Sequence, residues 1–97
     1  MPMTMDTLKK ILDDRGEKYG AFDGHAQISQ HLKRVMWGVE GWGRLSDQQR
    51  EALEMITHKI GRVLNGDPDY ADSWTDIAGY AQLIVRILSA KDRGTGD

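Results

Sequence analysis

No cysteine occurs among the 97 residues. That removes disulfide staples, thiolate catalysis and cysteine-type zinc sites together, and it fits a cytoplasmic protein. Basic charge is not in excess either: 13 Lys and Arg face 15 Asp and Glu, for a formal net charge of -2. No global positive field therefore points to direct DNA binding. The N-terminus lacks the apolar core of a signal peptide, and the longest apolar runs are far too short to span a bilayer. No membrane partner is expected. Alternating apolar residues that would mark a strand are missing, as is any internal repeat. So are a Walker-type phosphate loop, a Gly-x-Ser-x-Gly elbow and a His-Glu-x-x-His helix.

What is present suits one globular domain, 39% hydrophobic and 29% charged, spanning residues 1–97. Helical spacing of Leu8, Ile11 and Leu12 predicts a first helix over about 5–15, with Gly16 as its stop. Ile28, Leu32, Val35 and Met36 predict a second over about 25–36. Ser46 followed by Gln49 has the capping-box arrangement, so a third helix should start at residue 47 and run to 64. Asn65-Gly66-Asp67-Pro68 ends it, since Gly suits a left-handed C-terminal position and Pro cannot continue a helix. A fourth helix is expected over 72–90, with 91–97 as a flexible tail. The fold class is all-α, a four-helix antiparallel bundle. A core of this size is modest, so self-association into a dimer or higher oligomer is expected.

The residues with the most chemistry lie in the second half. Glu51, Glu54, His58 and Arg62 share a stripe on the third helix, and Asp72, Asp76 and Tyr80 share one on the fourth, because residues three or four apart stack on one face. A short loop makes these helices neighbours, so the two stripes would converge in one cleft. Hard cations such as Mg²⁺ take oxygen ligands and usually share substrate phosphates, which makes Glu51, Glu54, Asp72 and Asp76 candidate metal ligands. Lys59 and Arg62 would hold phosphate oxygens. Each residue also has a plain structural reading. Glu51 and Glu54 suit the positive end of a helix, Asp72 suits an N-cap, and Asp76 could pair with Lys59 or Arg62 to lock the helices together. A lone His58 could equally be a packed or surface residue, and Tyr80 half core.

A second cluster is Arg15-Gly16-Glu17-Lys18-Tyr19-Gly20-Ala21-Phe22. Its glycines would let the backbone approach a ligand while Tyr19 or Phe22 stacks on a base; the alternative is a helix connection with hydrophobic anchors. Trp37 and Trp42, within a glycine-rich stretch, are candidates for a partner surface, or else cap the core under a loop.

Three strings carry a resemblance: Arg15-x-x-x-Tyr19-Gly20; Glu51-Ala52-Leu53-x-Met55-Ile56-x-His58-Lys59-Ile60-x-Arg62; and Asp72-Ser73-Trp74-x-Asp76-Ile77-Ala78-Gly79-Tyr80-Ala81. Together they resemble a small phage and prophage helical family of unknown function. They are similar also to the N-terminal domain of phage dATP/dGTP diphosphohydrolases, and distantly to the all-α MazG-like nucleotide pyrophosphohydrolases. The resemblance spans roughly residues 8 to 90. MazG-like enzymes carry Glu-x-x-Glu on one helix and Glu-x-x-Asp on the next, together binding Mg²⁺. Glu51 and Glu54 match the first pair, whereas Asp72 and Asp76 are four apart and begin with Asp.

Two functions are kept open, the first implied by the resemblance and the second by the imperfect metal motif and the Trp37 to Trp42 stretch. One is a Mg²⁺-dependent pyrophosphohydrolase of (deoxy)nucleoside triphosphates. Its metal would be held by Glu51, Glu54, Asp72 and Asp76, with Glu54 and Asp76 catalytic. Its nucleotide would be bound by Arg15, Tyr19, His58, Lys59, Arg62 and Tyr80. The other is a non-enzymatic counter-defence protein of an infected or lysogenic bacterial host, either an anti-CRISPR-like inhibitor of a host defence protein or a nucleotide-signal sponge. In the binder Lys59 and Arg62 would instead pair with Asp72 or Asp76; Arg–Asp pairs filling the cleft would favour it, whereas an ordered divalent ion between those acids would favour the enzyme.

Overall fold

The computed structural model describes residues 4–96, with side chains through residue 92. It contains four α-helices: α1 (Met5–Tyr19), α2 (Phe22–Trp37), α3 (Asp47–Asn65) and α4 (Ala71–Gly96). A 3-10 turn over Glu40–Arg44 bridges α2 and α3. No strand occurs among the described residues. The architecture is all-α.

Local chemistry explains where the elements begin. Thr4 caps α1, its hydroxyl accepting from the Thr7 amide at 3.1 Å. At α3 the capping box is complete: Ser46 Oγ accepts from the Gln49 amide, and Gln49 Oε1 accepts from the Ser46 amide. Both satisfy amides that a helix start leaves without partners.

The ends differ from expectation in four places. Gly16 does not stop α1, which runs another turn to Tyr19 and ends at Gly20, where φ is +77°. The stretch read as a connection shrinks to two residues, and α2 starts at Phe22, before His25. Gly66 does end α3, but with φ -133° and not in the left-handed region. Its glycine is needed for a different reason: a Cβ there would collide with the backbone of Lys18 and Tyr19. Finally α4 continues past Ala90 to Gly96, so the expected tail is helical that far; Asp97 lies outside the described residues.

Helix α3 is the centre of the assembly. It packs along α2 on one side and α4 on the other, while α1 makes a lighter contact with α2 and α3. The result is elongated, 57 × 32 × 29 Å with a radius of gyration of 17.0 Å, where a compact chain of this length would have about 12.5 Å. Ala52 is the one buried hydrophobic residue among those described, and it is still 6% exposed. Trp74, Leu83, Val85, Ile87 and Leu88 of α4 are all exposed.

Candidate functional site

Polar bonds bring the α1–α2 turn to the end of α3. Asn65 Nδ2 donates to the Tyr19 carbonyl and to the Ala21 carbonyl, each at 2.8 Å. The Asp67 amide donates to the Lys18 carbonyl at 2.7 Å. Side chains at Gly20 or Gly24 would collide with Asn65. Two glycines and one amide therefore fix where Tyr19 and Phe22 stand relative to α3.

Between these elements lies a cavity of about 380 Å³. Leu12, Arg15 and Tyr19 line it from α1, Phe22 and His25 from α2, and His58 and Arg62 from α3. The volume lies in the lower part of the range for small-molecule sites. The Arg62 guanidinium stacks on the Tyr19 ring at 4.1 Å, a cation–π contact that aligns both along the wall. Tyr19 in turn meets Tyr70 edge-on at 5.9 Å.

At the base of the cavity two histidines meet. His25 Nε2 and His58 Nδ1 are 3.2 Å apart, with the rings edge to face at 4.4 Å between centroids. His25 is 6% exposed, and its Nδ1 has no hydrogen-bond partner. That nitrogen lies over Gly61, where a Cβ would stand 3.0 Å away. Gly61 thus allows α2 to approach α3 closely enough to form the pair. Burial pushes the His58 pKa down to about 4, with His25, then Arg62, Lys59 and Lys33, adding to the effect. Burial first and Arg62 second also lower His25. Both rings are neutral at pH 7.

Four of the residues expected to bind nucleotide, Arg15, Tyr19, His58 and Arg62, therefore share one cavity. The other two do not join them. Lys59 turns toward α4 and pairs with Asp76 at 3.0 Å. Tyr80 lines a shallow depression on α4 beside Asp76, Gly79 and Leu83.

The four carboxylates are dispersed. Glu54 faces α2, 3.7 Å from Lys33 Nζ and 3.3 Å from the Trp37 indole nitrogen that donates to it. Asp76 is across α3, on Lys59. Asp72 accepts from the Tyr70 hydroxyl at 2.8 Å, and Glu51 is exposed. Positions 54 and 59 are five residues apart, about 140° around a helix with 100° per residue. Glu54 and the partner of Lys59 thus lie on different sides. Among the described residues no three His, Asp or Glu side chains could hold a metal ion. The arrangement does not fit a Mg²⁺ site within one chain.

Trp37 is exposed, whereas Trp42 is half-buried beneath the Arg50 guanidinium, 5.9 Å from its ring. His25 and Asn65 were not singled out by sequence reasoning. The signal that could have found His25 is Gly61, a glycine three residues after His58 inside a well-capped helix. No helix is long and apolar enough to cross a membrane among the described residues.

A family model described as a domain of unknown function, DUF6378, matches residues 4–88. The chain belongs to the DUF6378 family. That match covers the first three helices, α4 as far as Leu88, and every residue of the cavity. No curated protein and no solved structure matches the chain.

For this DUF6378 domain, the neutral histidines set an acid limit. Below about pH 6.5 the unfolded chain binds protons on His25 and His58 that the folded chain refuses, so stability is full above that pH and falls as pH drops toward 4. Thermal melting between pH 7 and pH 5, above the main carboxylate range, should show the decline. His58→Gln should flatten it; an equally steep decline in that variant would contradict the assignment.

Proposed function

We propose that this DUF6378 domain is a phage-type nucleotide-handling protein that acts by binding. Its ligand carries a phosphate and a planar base and enters the cavity between α1, α2 and α3. The observation that supports this reading is the joining of two guanidiniums, Arg15 and Arg62, with two aromatic rings, Tyr19 and Phe22, around one space. Guanidinium groups meet phosphate oxygens in two-pronged geometry, and aromatic rings offer stacking to any base. The glycines at positions 16 and 20 open the backbone on the same wall.

Binding is favoured over hydrolysis by the state of the acids. The Lys59–Asp76 ion pair occupies the ground between α3 and α4 where the metal was expected. Glu54, the other catalytic candidate, is engaged by Lys33 and Trp37. A protein that holds a nucleotide without turning it over fits the role of a nucleotide-signal sponge in a bacterial host's cytoplasm. The inhibitor reading, docking onto a host defence protein through Trp37 and Trp42, draws on Trp37 alone, since Trp42 is half-buried.

The domain is also proposed to self-associate. Its accessible surface is 7305 Å², against about 5,600 Å² for a compact monomer of 10.9 kDa. Five exposed large apolar residues, Trp74, Leu83, Val85, Ile87 and Leu88, lie on α4, which packs mainly on α3. A second copy covering α4 would bury them, and burial of each large apolar side chain contributes about 1.5–3 kcal/mol. Sedimentation equilibrium should return a dimer or higher species, and Leu83→Glu should shift it toward monomer. A monomer at all micromolar concentrations would refute the self-association.

Calorimetry with a panel of nucleotides, without divalent ions, should show binding that Arg62→Gln weakens at least about tenfold, the loss of one charged hydrogen-bonded contact. Pyrophosphate release with Mg²⁺ or Mn²⁺ should stay at background. Turnover that requires the metal and disappears in Asp76→Asn would overturn the binding reading in favour of the pyrophosphohydrolase.

A further inference from the structure

The nucleotide reading leaves open which phosphate group the cavity accepts, and the two histidines at its base bear on that question. We infer that the ligand is a nucleoside monophosphate whose terminal phosphate monoester sits at the His58 end of the cavity, and that the His25–His58 pair takes up one proton as it binds. This inference rests on the cavity being the nucleotide site.

Geometry limits the pair to a single extra proton. His25 Nε2 and His58 Nδ1 face each other at 3.2 Å, so one must donate and the other accept. Two imidazolium rings would oppose two N–H groups and break the contact. One imidazolium is compatible: His58 Nδ1–H donates to His25 Nε2, the proton of neutral His25 resides on Nδ1 over Gly61, and the added proton sits on His58 Nε2. The buried, unpartnered Nδ1 of His25 is where that tautomer places its hydrogen. Water supplies the added proton, or the ligand does when it arrives as the monoanion and leaves its P–OH proton on His58. Atoms and charge balance in both cases.

The surroundings make proton uptake conditional on an anion. Arg15 and Tyr19 face the cavity from α1 and Phe22 from α2, while Arg62 lines it from α3. Burial keeps His58 neutral first, and Lys59 of α3 and Lys33 of α2 add a smaller push in the same direction. Their own acidic partners, Glu54 and Asp76, lie away from the cavity lining. An empty cavity thus holds uncompensated positive charge and a neutral base. A phosphate monoester carries about -1.5 to -2 charges near neutral pH and has a dissociable proton with a pKa near 6. It offsets the guanidiniums and can share a proton with His58. A phosphodiester has one charge and no proton to share. The modest volume of about 380 Å³ favours one base with one phosphate over a longer polyphosphate.

The test is calorimetric titration of the full chain with adenosine, guanosine, cytidine and uridine 5′-monophosphates and their 5′-methyl diesters. Each is run at pH 7.0 in two buffers of different ionisation enthalpy. The expected result is net proton uptake with the monoester and none with the diester. Monoester affinity should rise by about twofold between pH 8 and 6.5, the gain for a site whose pKa moves from about 4 to near 6.5. In His58→Gln the uptake should vanish, together with the preference for monoester over diester. In the unmodified chain, imidazole NMR should show His58 titrating near 4 when empty and moving up toward the ordinary value near 6.5 with adenosine 5′-monophosphate bound; this readout needs no variant to fold. Monoester binding without proton uptake, or with His58 unmoved, overturns the inference and leaves the nucleotide reading standing. No binding by any of these compounds overturns both.

Discussion

Asn65 closes α3, and its side-chain amide donates to the carbonyls of Tyr19 and Ala21, the residues on either side of Gly20. Much of the candidate site depends on that link. It ties the α1–α2 turn to the helix that packs along both α2 and α4. Tyr19 is thereby positioned to stack under Arg62, and Phe22 opens α2 at the cavity wall. The conditions for the link are strict. Gly20 and Gly24 must lack side chains to admit Asn65, and Gly66 must lack one to pass Lys18 and Tyr19. An ordinary L-residue at Gly20 would meet both the positive φ and the collision.

A second close approach, His25 against Gly61, determines the electrostatics. It places two neutral imidazoles beside Arg62 and within reach of Lys33 and Lys59. The cations on the cavity side are therefore not matched by carboxylates lining it, although the whole chain is acidic. The acids expected to face one another are instead divided between α2 and α4 by the rotation of α3. Lys33 and Lys59 each hold one of them. The cavity lining thus holds no carboxylate, while ion pairs close on two other sides of α3, Lys33–Glu54 toward α2 and Lys59–Asp76 toward α4.

Much of this was legible in the residues. Apolar periodicity predicts four helices, and Ser46 with Gln49 marks the start of α3 through a cap that depends on local sequence alone. Arg15, Tyr19, His58 and Arg62 were candidates for nucleotide contact, and they do meet. Less legible were features set by tertiary contact. Gly16 lies in open space and is tolerated inside α1, because one glycine weakens a helix by only about 1 kcal/mol. Gly20, with its positive φ, is the true stop. Spacing placed Glu54, Lys59 and the acids of α4 on helix faces, but it does not fix how far each helix is rotated against its neighbour. That rotation decides whether Asp76 meets a metal or Lys59. His25 was hidden for the same reason: its partner is 33 positions away, and only the size of Gly61 hints at the contact.

The central claim is that the ligand site lies among α1, α2 and α3, not between the acid stripes of α3 and α4. Its most direct test is an amide chemical-shift map recorded with adenosine 5′-monophosphate and then with added Mg²⁺. The account predicts ligand-induced shifts concentrated at Leu12 through His25 and at His58 through Arg62, unchanged by the metal. Shifts that appear only with Mg²⁺ and centre on Glu51, Glu54, Asp72 and Asp76 would contradict it.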